Sequence, residues 1–340
     1  MTRNPLPRYC GFNLLEMFHL EPATPEVQPG DERDFRVSDL DLISEWGFNF
    51  VRIPMDYRHW GSWQNPFEVR EAALARIDRL IDLCTARGIH VNLNFHRAPG
   101  YCVNESPNEP RNLWQDAEMQ DAFCHHWSVF ARRYIGIDSK RLSFNLVNEP
   151  QHIQPAMSRA DHVRVITAAV GAIRAVDPAR LLMFDGFDWG NTPSPELAAL
   201  GGAQSCRAYW PMSVSHYGAP WVPHIKFNEP PKWPGGEHFG EHLHREDLEA
   251  HYRRWAKLFD QNVGVICGEG GAWKNTPHPV VLAWLHDVLD ILKSLSIGFV
   301  LWNFRGAFGI LDSERTDVAY EDLRGHKLDR ALLDLLRKYA

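Results

Sequence analysis

Eight strand-like runs recur along the 340-residue chain, separated by patches with helical spacing. The runs are Gly11–Leu15, Phe48–Ile53, His90–Phe95, Leu142–Val147, Leu181–Phe184, Met212–Ser215, Val263–Cys267 and Gly298–Leu301. They are short and apolar, as strands buried on both faces are. In EAALARIDRLIDLCTARG (71–88), Leu74, Ile77, Leu80, Ile81 and Cys84 fall three and four apart on one face, and Gly88 stops the run. The same spacing predicts helices over Ala117–Tyr134, Arg159–Val176, Arg245–Phe259, Pro279–Lys293 and Leu328–Tyr339. Weaker patterns occupy Val37–Trp46 and Pro195–Leu200.

Eight strand-then-helix units with no break in composition predict a single-domain (β/α)8 TIM barrel over 1–340, in the α/β class. A doubly wound open sheet is the structural competitor, but no GxGxxG follows the first strand. No Pro/Ser linker or low-complexity segment divides the chain. Residues 217–240, rich in Pro and Trp, read as one long loop shaping a substrate cleft.

Bulk properties exclude several function classes. Hydrophobic residues make up 44% of the chain, enough for one large core. The net charge is −7 and no basic run occurs, which argues against nucleic acid or an anionic membrane as partner. No stretch approaches the ~18–20 apolar residues that span a bilayer. The opening MTRNPLPRYCGFN lacks the apolar core of a signal peptide, so the expected location is cytoplasmic, or secreted if a leader was removed. The six cysteines are scattered without CxxC and read as reduced core residues. Thirteen tryptophans supply many flat apolar faces, which suit a core or the C–H faces of sugar rings.

In such a barrel, chemistry sits where the strands end at their C-termini. Arg52 follows the second strand and His96 and Arg97 the third. SFNLVNEP (143–150) ends the fourth in Asn148 and Glu149. DGFDWGN puts Asp185, Asp188 and Trp189 after the fifth, SHYGAP puts His216 and Tyr217 after the sixth, CGEGGAW carries Glu269 on the seventh, and LWNFRG carries Trp302 on the eighth. Taken singly, each has a plain structural explanation: an end-of-strand ion pair for Arg52, satisfied polar groups for His96 and His216, core for Trp302. The two glutamates are harder to explain so, because a carboxylate ending an apolar strand is costly to bury without partners. A pair of them suits acetal cleavage, one protonating the leaving oxygen and the other attacking the anomeric carbon.

The set VRIP, NFHRAPG, NLVNEP, GEGG and VLWNFRG, spread from about Gly11 to Tyr339, resembles glycoside hydrolase family 5, the cellulase-like retaining β-glycosidases. The resemblance implies hydrolysis of β-linked glucan- or mannan-type oligo- or polysaccharides by double displacement, without cofactor or metal. It implies Glu149 as acid/base and Glu269 as nucleophile. Asn148 would bind the sugar 2-hydroxyl, Arg52 and Tyr217 would contact Glu269, His96 would bind hydroxyls, and Trp302 would floor the −1 subsite. The family pattern after the sixth strand is His-x-Tyr, whereas here His216 and Tyr217 are adjacent. Period-two alternation then points one of them away, or a bulge re-aims it.

Trp221 and Trp233, in the Pro-rich loop, are the leading candidates for sugar stacking, ahead of Trp114, Trp189, Trp210 and Trp273. A metal reading of His238, Glu241, His242 and His244 in EHFGEHLHREDLEAHY is outweighed by a solvated loop, since the spacing is not HExxH. The alternatives are an exo-acting β-glycosidase or a transglycosylase on short glycosides, and, from a different class, a non-catalytic sugar-binding barrel. Cleft shape, set by 217–240 and 103–113, decides endo against exo action. Gluco against manno preference, linkage and oligomeric state stay open.

Overall fold

The computed structural model describes residues 3–18, 33–103, 109–151, 156–222, 227 and 229–340. Its strands are β1 (Gly11–Asn13), β2 (Phe50–Asp56), β3 (His90–Ala98), β4 (Leu142–Asn145), β5 (Leu181–Asp185), β6 (Ala203–Ala208), β7 (Val265–Gly270) and β8 (Gly298–Leu301). Each is hydrogen-bonded to its sequence neighbours, and the order β2-β1-β8-β7-β6-β5-β4-β3 is closed by pairing of β2 with β3. The fold is the predicted (β/α)8 barrel. The principal helices are α1 (Val37–Glu45), α2 (Glu71–Thr85), α3 (Ala117–Arg133), α4 (Arg159–Arg174), α5 (Arg245–Ala256), α6 (His278–Ser294) and α7 (Arg330–Tyr339). None among the described residues is long and apolar enough to cross a membrane.

The chain forms two compact units. In Leu14–Ser205, the alternation along β3 decides which side chains meet the helices. Phe95 stacks on Trp127 of α3 at 4.1 Å between ring centroids and lies 5.5 Å from Trp60. The opposite face is polar, and its side chains bond across to the neighbouring strand, as most buried polar groups do. Asn92 Nδ2 donates to Ser143 Oγ at 2.8 Å, and Asn94 Nδ2 to the Asn145 carbonyl at 3.2 Å. The helices are stopped and started locally. Asp116 accepts from the Glu118 and Met119 amides at the start of α3, and Ser158 and Asp161 form a capping box on α4. Gly88, past the end of α2, has φ +68°, a left-handed turn that glycine adopts without strain.

The other unit joins Met1–Asn13 to Cys206–Ala340. Asn13 Nδ2 donates to the carbonyls of Gly268 (3.1 Å) and Leu301 (3.2 Å), tying β1 to β7 and β8. Gly270 is where β7 lies too close to β6 for a side chain: an added Cβ would lie 2.6 Å from the Ala208 Cβ and 2.9 Å from its carbonyl oxygen. Short antiparallel hairpins at Gly236–His238/Glu241–Leu243 and Glu321–Leu323/His326–Leu328 decorate this unit.

The structure corrects one predicted strand. Met212–Ser215 is a four-residue helix, and the sixth strand is Ala203–Ala208. Its sequence, AQSCRA, lacks an apolar run because its buried polar side chains are individually paired. Gln204 exchanges hydrogen bonds with the backbone of Ser194 at 2.6 and 2.9 Å. The 217–240 segment is also not one loop, since it ends in the first hairpin. Residues 223–226 and 228 of it, and 104–108 of the 103–113 segment, lie outside the described residues.

Buried histidines give the fold a calculable acid sensitivity. Burial lowers His90 and His126 to about 4, and His162 and His251 to about 3, from 6.5. Unfolded histidines bind protons below about pH 6.5, whereas the folded ones do so only near 3–4, so stability declines as pH falls through that window. The thermal midpoint should drop steadily from pH 6.5 to pH 4, with proton uptake on unfolding. A flat midpoint across that range would contradict the assignment.

Candidate active site

In the Leu14–Ser205 unit, the polar strand ends converge on Arg52. This guanidinium is buried on β2 and donates through Nε to Asn145 Oδ1 at 2.9 Å, and through a terminal nitrogen to Asn148 Oδ1 at 2.7 Å. Asn148 Nδ2 lies 3.3 Å from His96 Nε2. His96 sits in an irregularity of the β2–β3 register, between the pairs Met55↔Phe95 and Asp56↔Arg97, and its ring lies 4.2 Å from that of Phe18. A bulge of this kind re-aims a side chain near the end of a strand. Arg97 is occupied elsewhere, pairing with Asp56 at 3.0 Å and Glu109 at 3.3 Å.

Glu149 follows Asn148 with φ +45°, a conformation that non-glycine residues seldom adopt. Its amide donates to Asp185 Oδ2 at 2.9 Å, and its carbonyl accepts from Tyr101 Oη at 2.6 Å. Burial and the nearby Cys102, Glu149 and Asp185 raise the Tyr101 phenol well above its ordinary range, so it acts as a donor. On the turn after β5, Asp188 and Trp189 also have positive φ, the Trp189 amide donates to the Pro150 carbonyl at 3.2 Å, and the Trp189 side chain is exposed.

In the other unit, Glu269 lies within a second register shift, between Cys267↔Phe299 and Gly270↔Leu301. It is 5% exposed. Tyr209 Oη donates to its Oε1 at 2.8 Å, and the buried Arg207 guanidinium lies 3.7 Å from Oε2. Arg207 and Tyr209 are two apart and so share a face as β6 runs out.

The tyrosine on Glu269 is therefore Tyr209, and the prediction of Tyr217 is corrected. Tyr217 is half-buried with its ring 6.5 Å from Phe227. The error follows from the misplaced sixth strand: the expected His-x-Tyr spacing is met as Arg207-x-Tyr209, with arginine in the first position. Tyr209 and Arg207 were legible only from the alternation in CRAYW. His216 packs edge-on against Tyr209 at 5.0 Å and its Nδ1 lies 2.7 Å from Ser215 Oγ. Burial lowers its pKa to about 4, so it is neutral near pH 7.

Trp302 is half-buried after β8, with its amide donating to the Gly270 carbonyl at 2.8 Å. Trp221 is 47% exposed and stands perpendicular to Trp273 at 4.7 Å, with Phe308 at 6.1 Å, which leaves a flat apolar surface open to solvent. Trp233 donates its indole N–H to Asp287 of α6 at 2.9 Å, a contact that anchors its loop. Trp114 is buried against Tyr101, and Trp210 lies between His238 and His251.

The histidines of the EHFGEHLH segment serve the local fold. His238 Nδ1 accepts the Met212 amide at 3.3 Å, His242 Nδ1 lies 3.0 Å from the Gly235 carbonyl, and His244 begins α5. Among the described residues no group of three or more His, Cys, Asp or Glu is placed to hold a metal.

A (β/α)8 barrel with carboxylates, amides and indoles at the C-terminal ends of its strands has the architecture of a glycoside hydrolase. Residues 36–307 match the family model for cellulase, glycosyl hydrolase family 5, and the chain belongs to that family. It is 27% identical to endoglucanase C of Acetivibrio thermocellus over 317 residues, covering 83% of this chain and 88% of that protein. It is 27% identical to cellodextrinase A of Ruminococcus flavefaciens over 248 residues, covering 69% and 68% of the two chains. A solved glycoside hydrolase structure superposes with a TM-score of 0.91 at 41% identity, covering 98% of this chain and 99% of that one. The protein is a glycosyl hydrolase.

The phenol on Glu269 offers a direct check. Tyr209→Phe, which removes a preorganised donor from the Glu269 carboxylate, should lower kcat by roughly 10²-fold. Tyr217→Phe should not reproduce that loss. Equal effects of the two variants would contradict the placement.

Proposed function

We propose that the chain is a retaining β-glycosidase acting on β-1,4-glucan-type oligo- and polysaccharides, with Glu269 as nucleophile and Glu149 as acid/base. The observation that carries this reading is the grip on the Glu269 carboxylate at the end of β7. Glu269 is gripped by its carboxylate, through Tyr209 and Arg207, as a fixed nucleophile needs to be. Glu149 is gripped by its backbone, through Asp185 and Tyr101. An acid/base needs its chain fixed while its carboxyl alternates between donor and acceptor.

In the first step a Glu269 oxygen bonds to the anomeric carbon as the glycosidic C–O bond breaks, and the departing oxygen takes the Glu149 proton. In the second, Glu149 removes a proton from water, the water oxygen bonds to the anomeric carbon, and the Glu269 ester bond breaks. The product keeps the β configuration. The mechanism requires the two carboxyl groups to sit about 5–5.5 Å apart. Within this scheme Arg52 orients Asn148 for the 2-hydroxyl, His96 and His216 line the sugar, Trp302 floors the reacting ring, and Trp221 stacks on a further one.

The relatives named endoglucanase and cellodextrinase support a gluco-configured substrate. The cellodextrinase likeness also supports action on short cello-oligosaccharides, which product-length analysis over a cello-oligosaccharide series resolves. A non-catalytic sugar-binding barrel has no use for two glutamates so held.

Glu269→Ala should lose roughly 10⁴-fold or more of kcat. Glu149→Ala should keep activity on a dinitrophenyl β-cellobioside, whose leaving group needs no proton, and added azide should raise its turnover and give the β-glycosyl azide. An α-azide product, or no azide effect, would contradict retention with Glu149 in this role.

A further inference from the structure

We propose that Asp185 is a positioning residue for the acid/base, setting the direction of the Glu149 side chain through its backbone; the inference rests on the reading of Glu149 given above. Asp185 ends β5 with its side chain wholly buried. Both of its oxygens are committed. Oδ1 accepts from Asn145 Nδ2 and Oδ2 from the Glu149 amide, each at 2.9 Å. A buried carboxylate is costly to retain, so its partners reveal its use.

A simple ion pair with Arg52 explains it poorly. The Arg52 guanidinium is 3.6 Å away, and its short hydrogen bonds, at 2.7 and 2.9 Å, go to Asn148 and Asn145. The well-made bond from the chemically interesting residue is the Glu149 amide. That residue also holds the strained φ of +45°, which persists only where its surroundings over-determine it. The determinants are visible: Asp185 on the amide, Tyr101 on the carbonyl at 2.6 Å, and the Trp189 amide on the next carbonyl, that of Pro150, at 3.2 Å. Two of the three come from β5 and the turn after it. With both peptide planes fixed, the Cα–Cβ bond of Glu149 has one direction.

Releasing the amide lets the peptide planes of residue 149 rotate towards an ordinary conformation and displaces the carboxyl from the leaving oxygen. A misplacement of about 1 Å costs about 10²-fold in rate. The loss falls only on the step that needs a proton. A folding role would instead weaken every substrate alike.

The test measures kcat and KM for wild type, Asp185→Ala, Asp185→Asn and Glu149→Gln on aryl β-cellobiosides running from dinitrophenyl to phenyl leaving groups. Asp185→Ala should lose about 10²-fold in kcat/KM on the phenyl substrate and far less on the dinitrophenyl one, following Glu149→Gln in direction. Asp185→Asn, isosteric but with a single acceptor oxygen, should fall between, and it carries the test if the alanine variant does not fold. A uniform loss across leaving groups in the Asp185 variants, beside a graded loss in Glu149→Gln, overturns the proposal and leaves the acid/base reading standing. A uniform loss in Glu149→Gln overturns both.

Discussion

A carboxylate carried on a buried strand has to be met by donors, and those donors fix the geometry of this protein's strand ends. Unpaired, each such group would cost several kcal/mol. Glu269 is met by Tyr209 and Arg207, and Asp185 by Asn145 and the Glu149 amide. Each donor is held in turn: Arg52 bonds to the asparagines on either side of it, and Asn148 approaches His96. The barrel supplies rigid strands; the pairing requirement decides which side chains can end them.

The site is therefore inseparable from the polar layer on the strands. Asn92 bonds to Ser143 and Asn94 to Asn145 across the sheet, and Asn145 accepts from Arg52. Buried bonds of this kind hold their members in place, which suits a site whose chemistry depends on placement. Irregular register does the fine aiming. Register shifts fall around His96 on β3 and Glu269 on β7, where these side chains leave the regular alternation.

Much of this was legible in the sequence, and the exception is informative. Seven of the eight barrel strands are apolar enough to stand out, and the helices between them show their spacing plainly. The sixth strand escaped because AQSCRA buries polar groups whose partners are distant or turn-borne, which no local pattern announces. That one displacement moved the expected tyrosine from Tyr209 to Tyr217. Glu149 and Glu269 stood out because an acidic residue ending an apolar run is anomalous in itself. Asp185 shows the same anomaly, but its bond to the Glu149 amide depends on a left-handed residue that sequence does not display. Trp221 and Trp233 looked alike in sequence and differ in structure, because one lies open on Trp273 and the other is bonded to Asp287.

Under the proposed double displacement, Glu269 forms a covalent bond to the sugar. Incubation with a dinitrophenyl 2-deoxy-2-fluoro-β-cellobioside, followed by intact-mass measurement and peptide mapping, tests it most directly. Time-dependent inactivation is expected, with one fluorocellobiosyl group attached to the peptide at Glu269. A label on any other residue, or cleavage with no covalent species at any time, would contradict it.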